Sequence, residues 1–303
     1  MHLNERWRMI ELGTSVEKGQ MGNLWLKRFQ IFLPAIAFGA ISVAGPALSE
    51  EPKQGEWQFS VTPYIWAAGM EGDMAVKGRG ASVDATFLDV VETADSLFGF
   101  MGVFEARKGD WGAFVAPMYL NIGVDENVGI GPLTIDVDAT TELTLIEFGV
   151  SYRLVSSTLG TEAGESGGQP AWIDAIVGGR YTRLDAEIDL KVSAASLGLS
   201  GTRVSQGSRD WIDPFVGAQA RAHLTEKVWV QARGDVGGFG VGSDFSWHAL
   251  GLLGYDFKMF GRDASIAAGY RALYMDFEEG SGSNLFQYDM TMHGPIIAMQ
   301  TRF

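Results

Sequence analysis

The sequence predicts an all-β fold, a transmembrane antiparallel up-and-down β-barrel of about ten strands within a range of eight to twelve. Three observations carry that expectation. Period-two alternation of apolar and polar residues recurs from residue 57 to 303, no later stretch has the ~18 uninterrupted apolar residues of a spanning helix, and the N-terminus reads as a secretory signal.

In "MGNLWLKRFQIFLPAIAFGAISVAGPALSEEP", Lys27 and Arg28 precede an apolar run from Phe29 to about Gly45, followed by small residues and then acids. That order is the charged, apolar and cleavage regions of an export signal. A cut after Ser49 satisfies the small-x-small rule with Ala47 and Ser49, and a cut after Ala47 is the rival. An uncleaved anchor is the alternative, opposed by Pro34 and by a run shorter than the ~20 residues that span a bilayer. The expected division is therefore residues 1–49 as extension and removed signal, with Met21 the more natural start, and residues 50–303 as the barrel.

Mean hydropathy is +0.05 and 46% of residues are hydrophobic, values of neither a disordered chain nor a helical membrane protein. Cysteine is absent, which excludes disulfides, a thiolate metal site and a cysteine nucleophile. Residues 1–49 hold five basic and three acidic residues, so 18 of the 23 basic and 34 of the 37 acidic ones remain after it, a net charge of −16. Nucleic acid is not an expected partner of such a surface.

Ten strands are expected at about 57–70, 97–108, 111–125, 140–155, 171–186, 209–224, 227–240, 244–258, 263–277 and 286–303. "LTLIEFGVSYRL" sets Glu147, Gly149, Ser151 and Arg153 against Ile146, Phe148, Val150, Tyr152 and Leu154, and "IDAIVGGRYT" sets Asp174 and Arg180 against Ile173, Ala175, Val177 and Tyr181. "DPFVGAQARAH" and "VWVQARGDV" alternate in the same way. Because the polar parity carries charges at strand centres, the apolar parity is expected to face lipid and the polar one a lumen. Short turns at 107–111, 224–227 and 259–263 alternate with longer links near 71–96, 125–140, 186–208 and 277–286, the asymmetry of periplasmic turns and outer loops. The long link at 157–172 falls on the short-turn side. Residues 85–98 read as a short amphipathic helix, and 72–84 is a candidate further strand beside 57–70. Pro63, Pro117, Pro214 and Pro295 inside strands point to bulges or strand ends. Twelve aromatics, Trp57, Trp66, Phe98, Trp111, Trp211 and Trp247 among them, are expected near strand ends as interfacial girdles.

The chain ends in "GPIIAMQTRF", where Phe303 shares a parity with Thr301, Met299, Ile297 and Pro295 while Arg302 and Gln300 take the other. Phe303 is expected on the lipid face at the short-turn interface.

Several stretches, "VTPYIWAAGMEGDMAV", "GVFEARKGDWGAF", "WIDPFVGAQARAHL", "GDVGGFGVGSDFSW", "LGYDF" and "AAGYRALYMDFE", resemble a widespread family of Gram-negative outer-membrane β-barrel proteins of unassigned activity. More broadly they are similar to small barrels of the opacity and porin-like type. The resemblance covers most of residues 57–303. It implies an outer-membrane location, outer-membrane lipid and the barrel-assembly machinery as partners, and Phe303 as the terminal aromatic that machinery reads. A monomer is expected, with small solutes or ions as further partners.

The chemistry expected of the interior rests on Glu105, Arg107, Glu147, Arg153, Asp174, Arg180, Asp213, Arg221, Arg233, Asp235, His248 and Arg271, which fall on the lumen parity. Both signs are present, so the first reading is an ion-pair network bracing the wall, and the second a small, selective or gated pore, since ten strands make a narrow barrel. Ser246 and His248 share a parity in "DFSWH", with Asp235 or Asp244 available to orient the imidazole, the ingredients of a lipid hydrolase. The glycines of "GDVGGFGVGSD" lack a phosphate-anchoring lysine and read as a flexible outer hairpin. No cofactor, metal or catalytic residue is implied; Asp276, Glu278 and Glu279 read as a solvated acidic loop.

Overall fold

The computed structural model describes residues 56–76, 78–130, 133–159, 169–194 and 199–303. The expected signal and its cleavage sites lie outside the described residues, as does most of the 157–172 link. In chain order the elements are β1 (Gln58–Trp66), β2 (Gly69–Val76), β3 (Arg79–Ala85), helix α1 (Phe87–Thr93), β4 (Ser96–Lys108), β5 (Trp111–Ile130), β6 (Leu133–Leu159), β7 (Gln169–Ala194), β8 (Leu199–His223), β9 (Val228–Gly238), β10 (Phe245–Met259), β11 (Arg262–Glu279) and β12 (Phe286–Arg302).

Every neighbouring pair is antiparallel, and β1 pairs with both β4 and β12. Ten strands, β1 and β4 to β12, therefore close a ring and leave no free edge along its lower wall. Phe303 completes it, exchanging backbone bonds with Phe59 at 2.8 and 3.3 Å. Its ring is 56% exposed on the outer face, with the Arg262 guanidinium 4.8 Å above it.

The expected strand at 72–84 exists as the β2–β3 hairpin, but its partner differs from the one expected. β2 pairs with β12 rather than with β1, in the register that β1 already keeps with that strand: Trp66 faces Ile296 and Gly69 faces His293. β1 and β2 are thus one column broken at residues 67–68, and β3 and β4 form the next column with α1 as an excursion between them. Pairing of β1 with β4 stops at Pro63–Gly102, and pairing of β2 with β3 begins at Met70–Ala85. Helix α1 is fixed by a capping box in which Thr86 and Asp89 satisfy each other's backbone groups. The Thr86 side-chain and backbone hydrogen bonds hold the Asp89 carboxyl below its ordinary range.

Within the long links expected at 125–140 and 186–208, residues 125–130, 133–140, 186–194 and 199–208 are strand instead. β5 and β6 pair out to Ile130–Leu133, and β7 and β8 out to Ala194–Leu199. Two antiparallel segments supply one another's backbone partners whatever their side chains. β6, at 27 residues, is more than twice the ~9–11 that cross a bilayer.

Each of the four prolines expected at bulges or strand ends sits where a ladder is interrupted. Pro63 ends β1–β4 pairing, Pro214 precedes the first β8–β9 pair at Phe215, and the β4–β5 register skips the residues opposite Ala116 and Pro117. Pro295 faces the 67–68 break, where its carbonyl accepts from Ala67 N at 2.9 Å. With no N–H to donate, proline is tolerated at such gaps. The short turns are as expected: in the two-residue β10–β11 turn, Phe260 and Gly261 both have positive φ, 51° and 76°, the mirror-image turn that matches strand twist. The glycine-rich 234–244 segment is a β9–β10 hairpin as expected, with Gly234–Gly238 in β9 and the turn at 239–244, but it is pinned where the Ser243 N–H donates to Asp213 Oδ1 at 2.6 Å.

Candidate functional site in the barrel interior

Alternation along each strand places one parity inside. On β6 this is Leu143, Leu145, Glu147 and Ser151, on β7 Asp174, Ile176, Arg180 and Thr182, and on β11 Arg271, Leu273, Met275 and Phe277. The opposite parity exposes Phe148, Val150, Val177, Val216, Val236, Leu253, Ile266 and Ile297, an apolar outer belt.

The interior is not uniformly polar, which corrects the expected polar lumen. Toward the long hairpins it is an apolar core that includes Trp211, Leu273, Met275, Tyr288, Met290 and Met292. Trp66 and Trp211 belong to this core rather than to an outer girdle: Trp211 stacks on Phe277 at 4.2 Å with 10° between the rings. β2 and β3 extend the same lining through Met70, Met74, Val76 and Val83. The core forms because the long hairpins rise beyond the outer belt and must bury one apolar face against each other.

Below the apolar core lies a charged layer. Arg180, fully buried, donates from Nε to Glu147 Oε1 at 2.9 Å, from an Nη to Asp235 Oδ1 at 2.7 Å and from its other Nη to Ser246 Oγ at 3.3 Å. Arg233 bridges the same two carboxylates, at 3.2 Å from Glu147 and 2.9 Å from Asp235. Arg271 stands 3.7 Å from Glu147 and donates to the Tyr64 hydroxyl at 2.8 Å. The faces of Phe215 and Trp66 carry the Arg180 and Arg271 guanidiniums at 5.3 and 4.6 Å. Two carboxylates among three arginines, each held by two or more partners, meet the condition for burying charge: paired and hydrogen-bonded.

A second layer lies toward the short turns. Arg107 and Arg153 both donate to Asp174, and Arg221 lies 3.9 Å over the Trp229 ring while donating to Gln231. Asp256 accepts from Trp229 Nε1 at 2.9 Å, sits 3.0 Å from His223 Nε2 and 3.7 Å from Arg302. Arg107, Arg153 and Arg302 retain 15%, 18% and 38% side-chain exposure, so water reaches this layer.

The structure thus brings nine of the twelve expected residues into two polar groups: Glu147, Arg180, Arg233, Asp235 and Arg271 as ion pairs with His248 hydrogen-bonded to Asp235 in one, and the ion-paired Arg107, Arg153 and Asp174 in the other. Arg221 joins the lower layer by its stacking, Asp213 instead anchors the β9–β10 turn, and Glu105 makes no ion pair among the described residues. Tyr64, His223, Asp256 and Arg302 were not among the expected site residues. For Asp256 the signal was present, since it shares the parity of Ser246 and His248 along β10.

The hydrolase arrangement does not assemble. Asp235 does meet the imidazole, 3.2 Å from His248 Nδ1, but Ser246 Oγ accepts from Arg180 and the buried Nε2 of His248 has no partner among the described residues. A serine that does not bond its base is not activated, and both side chains are sealed from substrate.

No family model and no curated protein matches the chain. Among solved structures it is similar to Ail, the attachment invasion locus protein of Yersinia pestis, at 11% identity and a TM-score of 0.28 over 82% of this chain and 98% of that one. A FadL homologue of Pseudomonas aeruginosa matches at 9% identity and 0.27, over 82% and 90%. The translocator domain of the autotransporter NalP from Neisseria meningitidis matches at 14% and 0.24, over 82% and 87%. Similarity of this size carries no functional argument, and the barrel assignment rests on the chain's own strand pairing.

Proposed function

We propose that the chain is an integral outer-membrane barrel in which the buried charges brace the wall and the apolar core closes the bore, a structural role rather than an open channel. The observation that carries this reading is Arg180, with no exposed surface, clamped between Glu147 and Asp235 at the barrel's waist. The outer belt supports insertion: from Phe245 to Tyr255 β10 turns Trp247, Ala249, Gly251 and Leu253 outward, about the length and polarity that a bilayer demands. The short turns then face the periplasm, and residues 1–49 act as the removed export signal.

Purified, detergent-folded protein added to a planar bilayer is expected to insert without discrete conductance steps at either of two salt concentrations. Steps that scale with salt overturn the closed bore. A small-solute pore is the second reading, favoured by the water-accessible arginines of the lower layer, which form a charged vestibule ending at Arg180.

In the same reading Phe303 is the residue that barrel-assembly machinery engages, since it caps the closing β1–β12 seam and presents its ring outward. Deleting Phe303 is expected to lower the amount of protein assembled in outer membranes several-fold while spontaneous folding into detergent proceeds. Equal membrane yield of the deletion and the parent speaks against that role.

A further inference from the structure

We infer that the outer face of the barrel carries a binding site for a single-tailed amphiphile with a cationic head, in the pocket where the β3–α1 connection folds over β2 and β12. The pocket is an open cleft of about 490 Å³, within the volume range of small-ligand sites. Gly69 makes it possible, because a Cβ there would come within 2.9 Å of Ala85 O and 3.2 Å of Thr86 Cα, so the crossing chain rests directly on backbone.

The lining is ordered along the barrel axis. Gly69 pairs with His293; Ala67 and Pro295 lie two rows nearer the belt, and Glu71 lies two rows nearer the long hairpins. At the belt end Tyr270, Pro295 and Leu88 give apolar walls, and Leu88 stays 67% exposed. At the other end Glu71 and Asp84 face each other directly across the β2–β3 ladder, a like-charge pairing that a cation between them would relieve. The Tyr270 hydroxyl and His293 Nδ1 lie 2.6 Å apart, which leaves Nε2 of the imidazole as the polar atom open to a ligand. An outward histidine at belt height is costly on a lipid-facing wall. A ligand lying along the axis, with its tail against Tyr270 and Pro295, places its ammonium head between Glu71 and Asp84. An anionic head meets two carboxylates and is excluded.

The site rests on the membrane reading only for the direction in which it opens, so insertion is checked separately by flotation with phospholipid vesicles. The binding test is titration of ¹³C-histidine-labelled protein, in zwitterionic micelles at one fixed pH, with dodecylammonium and then with dodecyl sulfate. A saturable shift of the His293 resonance is expected with dodecylammonium, at least about tenfold tighter than with dodecyl sulfate, the discrimination that ~1.4 kcal/mol supplies. Glu71→Gln with Asp84→Asn is expected to abolish that preference while leaving the other histidine resonances in place. Parallel, unsaturable shifts with both probes, tighter binding of the sulfate, or an unchanged preference in the double variant would each overturn the site. A protein that floats with vesicles yet fails this titration loses the site and keeps its barrel assignment.

Discussion

Arg180→Met is expected to destabilise the detergent-folded barrel by about 3–5 kcal/mol, the cost of leaving buried carboxylates without their cation. Arg180 supplies hydrogen bonds to Glu147, Asp235 and Ser246, and although Arg233 touches both acids and also lies over the Phe215 ring, it makes no bond to Ser246. The measurement is the urea midpoint of refolded protein, followed by the gel mobility that separates folded from unfolded barrels. Arg180→Lys, which returns a cation between Glu147 and Asp235, is expected to recover part of the loss, whereas Arg180→Gln is not. Were Arg180→Met as stable as the parent, the charged layer would not be bracing the wall. The recovery matters as much as the loss, since a simple packing defect would not distinguish lysine from glutamine.

Trp211→Ala is expected to cost about 3–5 kcal/mol, as large-to-small changes in a packed aromatic core do. Trp211 sits on the part of β8 that rises past the β9–β10 turn, where β8 has no ladder partner on that side. It is held there by stacking on Phe277 and by a tilted contact with Tyr288 at 5.9 Å. Arg209 supports the same crossing through Glu279 at 2.6 Å and the Phe286 ring at 5.5 Å. The comparison variant is Trp111→Ala, whose ring is 60% exposed on the outer face and is expected to lose well under half as much in detergent. Equal losses at the two positions would mean that the long-hairpin end has no core of its own.

The two layers of charge were legible for a plain reason. A carboxylate or guanidinium at the centre of an alternating strand has one face on which to find partners, and period two states which residues share that face. Glu147, Arg180 and Asp235 come from three strands, and each could be assigned to the interior before any partner was known. What parity does not encode is height. Leu143 and Leu145 share the inside with Glu147, and Leu273 and Met275 share it with Arg271, so the change from charged layer to apolar core runs along a single face. The outer residues change in the opposite sense at the same heights, where Asp276, Asp289 and Asp73 stand side by side in register.

The hairpins at 125–140 and 186–208 show the complementary error. "TIDVDA" and "EIDLKV" alternate as cleanly as any membrane strand, but their acids suggested loops. Charge argues against lipid contact, not against pairing.

The sequence by itself determined the all-β class, the parity of the charged residues, the short turns and the presence of a short helix within 85–98, because each depends on neighbours within a few residues. Only the tertiary structure decided that β2 extends β1 along β12, that the long-hairpin end holds an apolar core and that Ser246 serves Arg180 instead of His248. Those outcomes depend on which strands meet around a closed ring and at what height, and residues such as Arg180 and Ser246, 66 apart in the chain, meet only once the ring has closed.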